Sequence, residues 1–510
     1  MTVPETPSST AVPRAPSGAS AIVIGSGFGG LAAAVRLGAR GYRVLILEQL
    51  DAPGGRAYVH RQDGFTFDAG PTIVTAPFVF EDLWSLCGRR LADDVTLKPL
   101  APFYRVRFHD GSFIDWSGDE AAMRAQITRL APADLAGYER FLQLSARIYK
   151  IAFEQLGHVP FSRWQDMARL APALLRLSAH ESLYSRVAAH VRDPRLRFAL
   201  SFHPLFVGGN PFTTSALYGL IVHLERKAGV HYAMGGTGRL VQGLLGLIAQ
   251  QGGSVRYGVE ARRITLRGRV ATGVELASGE RLESDIVVSN ADCAWTYGQM
   301  LPRELPRRWS DRRLRRMRYS MSLFVWYFGT RRQYPEVGHH TILVGPRYRE
   351  LITDIFQRHV LAEDFSLYLH RPSASDPSVA PPGCDAFYVL APVPNQLSGI
   401  DWKERAEPYR RLIAARLSED LLPNLEQNVV TSRLMTPQDF KDRLLSYQGA
   451  AFGMEPILTQ SAWFRPHNQC EDIERLYLVG AGTHPGAGLP GVVSSARVLD
   501  AVVPHGSTFA

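Results

Sequence analysis

Gly25, Gly27 and Gly30 stand at the G-x-G-x-x-G positions of the run AIVIGSGFGGLAAAVRLGARGYRVLILEQLDAPGGR, Ala21 to Arg56, with Gly29 inside the same turn. Glycines at this spacing suit a pyrophosphate. The first permits a tight turn, the second lets the diphosphate approach the backbone, and the third lets the following helix lie close to a sheet. Glu48 comes eighteen positions after Gly30, where a carboxylate accepts hydrogen bonds from both hydroxyls of a ribose. Gly54, Gly55 and Arg56 add a second flexible turn beside a cation. Such groups act together only if a strand, a helix and a second strand hold them. Ala21 to Ile24 is a short apolar strand, Leu31 to Leu37 a small-sided helix ending near Gly41, and Val44 to Leu47 a second strand with Glu48 at its end. The succession predicts an adenine-dinucleotide site and leaves open whether the other half is a flavin or a nicotinamide.

Two later stretches extend the same architecture. Gly235, Gly236, Thr237 and Gly238 precede an apolar helix, Leu240 to Ile248. Strand-like pieces follow at Ser254 to Val259, Ile264 to Leu266, Val270 to Leu276 and Ile286 to Val288. Near the end of the chain, LYLVGAGTHPGAGLPGVVSSARVLD gives a strand at Leu476 to Val479, turns at Gly480, Gly482, Gly486, Gly488 and Gly491, and a helix from Val492. A glycine-rich helix start presents amides to a phosphate or to electron-rich flavin atoms. One dinucleotide domain built from distant segments accounts for all three stretches. The intervening Thr72 to Tyr232 is then largely an insertion.

At 510 residues the chain has room for two or three structural domains. With 45% hydrophobic and 21% charged residues, it has the composition of a soluble or surface-bound globular protein and not of a disordered one. Residues 1–20, rich in Pro, Ser and Thr, predict a flexible tail without the apolar core of a secretory signal, so secretion is not expected. Cys87, Cys293, Cys384 and Cys470 are too far apart for a CxxC pair or a zinc knuckle and read as ordinary thiols of a reducing compartment. His339 and His340 are adjacent and lack the spacing of a helical ligand pair, so no metal is expected.

The net charge of +9 is concentrated in a run from Arg303 to Arg318 containing eight arginines. Such a run attracts anionic headgroups or forms a solvated helix face. Nucleic acid is not expected, because no recognition motif accompanies it. Pro160 to Val191 mixes Trp164, Met167, Leu170, Leu174 and Leu175 with Arg163, Arg169, Arg176 and Arg186. That pattern fits an interfacial helix or an amphipathic helix packed on the core. Leu205 to Val222 is uncharged yet carries glycines, Asn210, Pro211 and three hydroxyl residues. It suits an apolar substrate chamber better than a membrane span. His203 and Glu225 flank it, and each is a candidate proton acceptor.

The first motif, together with GFTFDAGPTIV, FHPLFVGGNPF, GVHYAMGGTGRLVQGL, VVSNAD and LYLVGAGTHPGAGLPGV, resembles the bacterial phytoene desaturase family, carotenoid desaturases related to the amine oxidase flavoproteins. The resemblance covers almost the whole chain. It implies FAD as cofactor, with Gly25, Gly27 and Gly30 at the pyrophosphate, Glu48 at the adenosine ribose, and Arg56 between pyrophosphate and isoalloxazine. Val259 would meet the adenine through its backbone, and Gly29, Gly55, Gly482, Gly488 and Val492 would complete the cofactor set. Many relatives carry an acid after the last glycine turn for the ribitol, whereas here Thr483 and His484 follow Gly482.

The implied fold is α/β: a Rossmann-like FAD-binding domain from discontinuous segments 21–71, 233–300 and 471–510, a mixed α+β substrate domain including 301–470, and a helical membrane-associating region within 72–232. The implied reaction converts 15-cis-phytoene to neurosporene or lycopene. Hydride leaves one carbon for FAD and a proton leaves its neighbour, to His203, Glu225 or the reduced flavin itself. The implied partners are a long acyclic forty-carbon carotenoid, an anionic membrane surface, and oxygen or a quinone as electron acceptor. The implied location is peripheral, on the cytoplasmic side of the bacterial inner membrane. A desaturase of hydroxylated or methoxylated carotenoids, a carotenoid isomerase, and a non-catalytic flavin or carotenoid binder share these glycines.

Overall fold

The computed structural model describes residues 18–509, so the expected tail lies outside the described residues as far as position 17. The first strand is Ser20–Ile24 and takes in the last residue assigned to that tail.

Five parallel strands form the nucleotide sheet, in the order Leu476–Leu478, Ile286–Ser289, Ser20–Ile24, Arg43–Leu47, Ser254–Arg256. Residues more than four hundred positions apart in sequence thus meet in one layer. The central strands are apolar without alternation because both faces are covered. Ala21 and Val23 point into a core with helices Phe28–Ala39, Gly238–Gln250 and Leu489–Val502, while Ile22 and Ile24 point into a second core. The second core is shared with a three-stranded antiparallel sheet, Ala261–Arg267, Val270–Leu276 and Arg281–Glu283. Period-two alternation therefore survives as a choice between two buried faces.

The other layer is a seven-stranded mixed sheet in the order Val429–Met435, Ser322–Thr330, Asp385–Val393, Leu367–His370, His340–Val344, Tyr104–Phe108, Phe113–Trp116. One pair, His340–Val344 with Tyr104–Phe108, is parallel. In strand Ser322–Thr330, Phe324, Trp326 and Phe328 pack with Tyr409, Ile413 and Leu417 of helix Trp402–Asp420, and Leu323, Val325 and Tyr327 face the opposite side. That opposite side looks toward a helical layer comprising Leu135–Ile148 with its π-helical continuation Tyr149–Gln155, Trp164–Arg176, Pro194–Ser201 and Leu220–Ala228. Among the described residues no helix is long and apolar enough to cross a membrane. Leu205 to Val222 is mostly turns and single 3-10 turns, as its glycines and proline require.

Gly30 shows how closely helix and strand approach in the nucleotide sheet: a Cβ there would collide with the Gly25 carbonyl oxygen. Neither partner is a movable side chain. Gly30→Ala is expected to destabilise the protein by about 1–3 kcal/mol, the cost of overpacking, seen as a lower thermal midpoint. Gly246→Ala, in an exposed turn of helix Gly238–Gln250 with nothing within 4 Å of the new carbon, is expected to raise the midpoint slightly. Equal midpoints for the two variants would contradict this packing.

Candidate active site

A single cavity of about 930 Å³ lies between the two sheets and the helical layer, walled by the glycine turns at one end and by apolar side chains at the other. At the glycine end, Gly25 has φ +89° and gives its amide to the Leu47 carbonyl at 2.8 Å. The second glycine turn packs on the first. Gly54 donates to the Ser26 carbonyl at 3.1 Å, and a Cβ on Gly55 would lie 3.4 Å from Gly27 Cα. Beneath both sits Asn290, directly after strand Ile286–Ser289, its amide bonded to the Ile24 carbonyl at 2.9 Å and its Nδ2 to the Gly25 carbonyl at 3.4 Å. A Cβ on Gly29 would collide with the Asn290 side chain and stand 2.9 Å from Gly480 Cα. Asn290 appears in the sequence as part of VVSNAD, and only its place at the carboxyl end of a buried strand hinted at a role.

Glu48 is buried and fully oriented. Its Oε2 accepts from the Ser26 amide at 2.8 Å and hydroxyl at 2.6 Å, and its Oε1 from the Leu50 amide at 2.9 Å. A carboxylate locked to the glycine turn, with a wall that lacks side chains, fits the ribose and pyrophosphate of an adenine dinucleotide. Val259 also lines this end, but its amide is given to the Glu48 carbonyl at 2.9 Å. Any adenine contact there comes from its carbonyl or side chain.

Arg56 lines the cavity and is tied down by the chain, its Nε to the Ala451 carbonyl at 2.7 Å and its Nη2 to Ser446 Oγ at 2.8 Å. Burial lowers its pKa, and the nearby Asp292 opposes that shift.

The carboxyl-terminal turn departs from the expectation at Gly482 and Val492. Gly482 is turned away from the cavity and packs on Cys293, where a Cβ would lie 2.9 Å from Cys293 Cβ. Ala481 and Gly488 line the cavity there. The helix begins at Leu489, three residues before the expected Val492, because Pro490 fits a first turn. Val492 lines the cavity with its amide already bonded to the Gly488 carbonyl at 2.8 Å. Gly30 likewise serves packing and is not a wall residue.

The apolar end is built by Leu205, Phe206, Tyr218 and Leu220 from the expected chamber segment, by Leu323, Val325 and Leu390 from the mixed sheet, and by Met167, Leu170 and Leu174 from helix Trp164–Arg176. The structure brings His203 and Glu225 together through Tyr104, a residue that sequence reading missed. The Tyr104 hydroxyl donates to Glu225 Oε2 at 2.8 Å and lies 3.1 Å from His203 Nε2, which is 3.4 Å from the same carboxylate oxygen. All three side chains are buried. Burial and the adjacent carboxylate raise the Tyr104 pKa well above the usual phenol range, so it remains a donor. Glu225 is part of the cavity wall, and its Oε1 has no hydrogen-bond partner among the described residues.

A second polar wall residue, His484, bonds through Nε2 to the Leu156 carbonyl at 2.9 Å. Burial pushes its pKa down to about 4, so near neutral pH it is an uncharged donor to that carbonyl. The adjacent His339 and His340, set aside as metal ligands on spacing, acquire His370 as a third buried neighbour through strand pairing. Spacing along one strand cannot reveal such a partner.

Residues 28–498 match the family of flavin containing amine oxidoreductases. The chain is 49% identical over 489 residues to the neurosporene-forming phytoene desaturase of Cereibacter sphaeroides, covering 95% of this chain and 94% of that protein. It is 48% identical to the lycopene-forming phytoene desaturase of a Paracoccus species, covering 96% and 98%. Among solved structures it resembles an oxidoreductase from Methanosarcina mazei, with 18% identity, a TM-score of 0.63 and coverage of 94% and 100%. Wild-type putrescine oxidase bound to putrescine gives 14% identity, a TM-score of 0.62 and coverage of 95% and 99%. These solved structures share the fold. With a glycine-walled slot, an oriented Glu48 and full-length likeness to such enzymes, the chain belongs to the FAD-dependent phytoene desaturases of the flavin containing amine oxidoreductase family.

Proposed function

We propose that the protein desaturates 15-cis-phytoene to neurosporene or lycopene, the two products named for its relatives. The observation that carries this reading is the continuity of one cavity from a dinucleotide slot to a chamber walled by hydrocarbon. An amine substrate would bring a cation into that chamber, where desolvating it is costly.

Bound FAD supplies the acceptor for the hydride. The chain's residues have the remaining tasks. Leu205, Phe206, Leu323, Val325 and Leu390 hold the polyene and exclude water, which fixes the reacting carbons relative to the glycine end. When the C–H electron pair has left as hydride, charge spreads along the chain and acidifies the neighbouring C–H. We assign the acceptor of that proton to Glu225, a lining residue whose Oε1 is buried with no hydrogen-bond partner among the described residues. The electrons of this second C–H bond become the new double bond. The Tyr104 hydroxyl and His203 hold the other carboxylate oxygen and so aim the first.

Delivery of a forty-carbon hydrocarbon through water is prohibitive at about 0.8 kcal/mol per methylene, which favours a mouth at a lipid surface. Helix Trp164–Arg176 supports this. None of its residues is buried; Trp164 is 62% and Leu175 66% exposed, while Met167, Leu170 and Leu174 line the cavity. We propose that this helix docks on anionic lipid at the cytoplasmic face of the inner membrane, with a quinone or oxygen as terminal acceptor. The arginine run is a weaker candidate, since Arg307 and Arg318 pair with Asp311 and Glu455, and Arg308 and Arg313 lie over Trp463 and Trp309.

Chromatography of products from FAD-loaded enzyme and phytoene in liposomes is expected to show neurosporene or lycopene. Recovery of unaltered phytoene, or of geometric isomers alone, would overturn the reading. Glu225→Gln is expected to keep its flavin and to lower kcat by roughly 10²-fold or more, the scale of a lost general base. An unchanged kcat would remove Glu225 from the mechanism. Replacing Trp164 and Leu175 together by Ser is expected to cut liposome flotation by about tenfold or more, and unchanged flotation would place the docking surface elsewhere.

A further inference from the structure

Behind the substrate chamber, three imidazoles converge that the reaction does not use. His340 opens strand His340–Val344, His370 closes strand Leu367–His370, and the two are directly paired across the antiparallel ladder. His339 precedes His340 and turns inward as well, with His339 Nε2 and His370 Nε2 3.1 Å apart. One potential ligand nitrogen from each ring falls within 4.8 Å of the other two. The side chains lie within the protein, with His339 8%, His340 1% and His370 0% exposed.

We propose that His339, His340 and His370 bind one divalent transition-metal ion of the zinc class. Three nitrogen ligands suit Zn²⁺ or Co²⁺, whereas Mg²⁺ and Ca²⁺ require oxygen ligands that the trio does not provide. Two of the rings are held from behind in the manner of metal-bound histidines. His339 Nδ1 lies 2.8 Å from Ser375 Oγ, and His340 Nδ1 lies 2.8 Å from the Tyr368 hydroxyl. Meanwhile His340 Nε2, His370 Nδ1 and the Tyr232 hydroxyl are buried without a hydrogen-bond partner among the described residues. The Tyr232 ring is 4.7 Å from that of His339. Leaving such groups unsatisfied is costly, and a cation on His340 Nε2 relieves one of them directly. A water in the fourth position could bond the Tyr232 hydroxyl.

The bound ion also fixes a direction of hydrogen bonding. With Nε2 on the metal, His340 Nδ1 carries the proton and donates to Tyr368. Tyr368 can then donate to Thr72 Oγ1 at 3.2 Å, Thr72 to the Tyr388 hydroxyl at 2.7 Å, and Tyr388 to the Gly70 carbonyl at 3.2 Å. Tyr368, Thr72, Tyr388 and Gly70 are cavity-wall residues, whereas the three histidines are not. The ion is therefore a structural clamp that orients one wall of the chamber, and the histidines are positioning residues.

The test uses full-length, FAD-loaded protein stripped with a chelator and titrated with Co²⁺. Wild type is expected to take up about one equivalent, to develop visible ligand-field bands of a tetrahedral nitrogen site, and to gain thermal midpoint as Co²⁺ or Zn²⁺ is added. His340→Phe, which preserves a buried ring, is expected to keep its FAD and lose both the bands and the midpoint gain. If that variant does not fold, His339→Leu at the edge of the cluster serves in its place. Absence of bands and of a midpoint shift in wild type would overturn the proposal in favour of a hydrogen-bonded cluster filled by water. Bands in the variant equal to those of wild type would overturn it as well.

Discussion

A side-chain carbon at Gly29 or Gly480 would collide with Asn290, and one at Gly54 would collide with the Ala57 carbonyl. That exclusion fixes the molecule. It brings segments near residues 25, 54, 290 and 480 to backbone contact distance, and the parallel sheet, the placement of Glu48 and the floor of the cavity follow from it. Side chains at these points would push the strands apart and obstruct the slot where a pyrophosphate needs the backbone.

A second constraint is set by the other end of the cavity. A chamber for hydrocarbon must be dry, yet removal of a proton requires a basic atom in its wall. On the proposed reading Glu225 meets both demands: it is a lining residue, buried with the Tyr104 hydroxyl and His203 on one oxygen and with no hydrogen-bond partner for the other among the described residues. Buried carboxylates are tolerated when their lone pairs are met, so the unmet one is informative. Tyr368 and Tyr388, which also line the cavity, have their hydroxyls joined through Thr72.

Sequence carried the nucleotide domain further than the rest because its requirements are local. Positive φ at Gly25 and Gly54, apolar runs covered on both faces, and an acid at the end of the second strand all leave marks within about thirty residues. Elements depending on distant pairing left weaker marks. The seven-stranded order could not be read, since Ser322–Thr330 chooses partners at Asp385–Val393 and Val429–Met435 by packing. Tyr104 and Asn290 entered the site from strands whose own sequences look merely structural. The resemblance places Gly482 at the cofactor, whereas a side chain there would collide with Cys293. The pairing of His340 with His370 is invisible for the same reason.

On the proposed reading one cavity brings FAD and a lipid-delivered polyene into contact. Anaerobic mixing of the FAD-loaded protein with phytoene-containing liposomes, followed by visible absorbance, tests it most directly. Loss of the oxidised flavin band in step with the appearance of a longer conjugated chromophore is the predicted result. A flavin band that persists while phytoene remains colourless would show that the cavity does not bring the two into reaction.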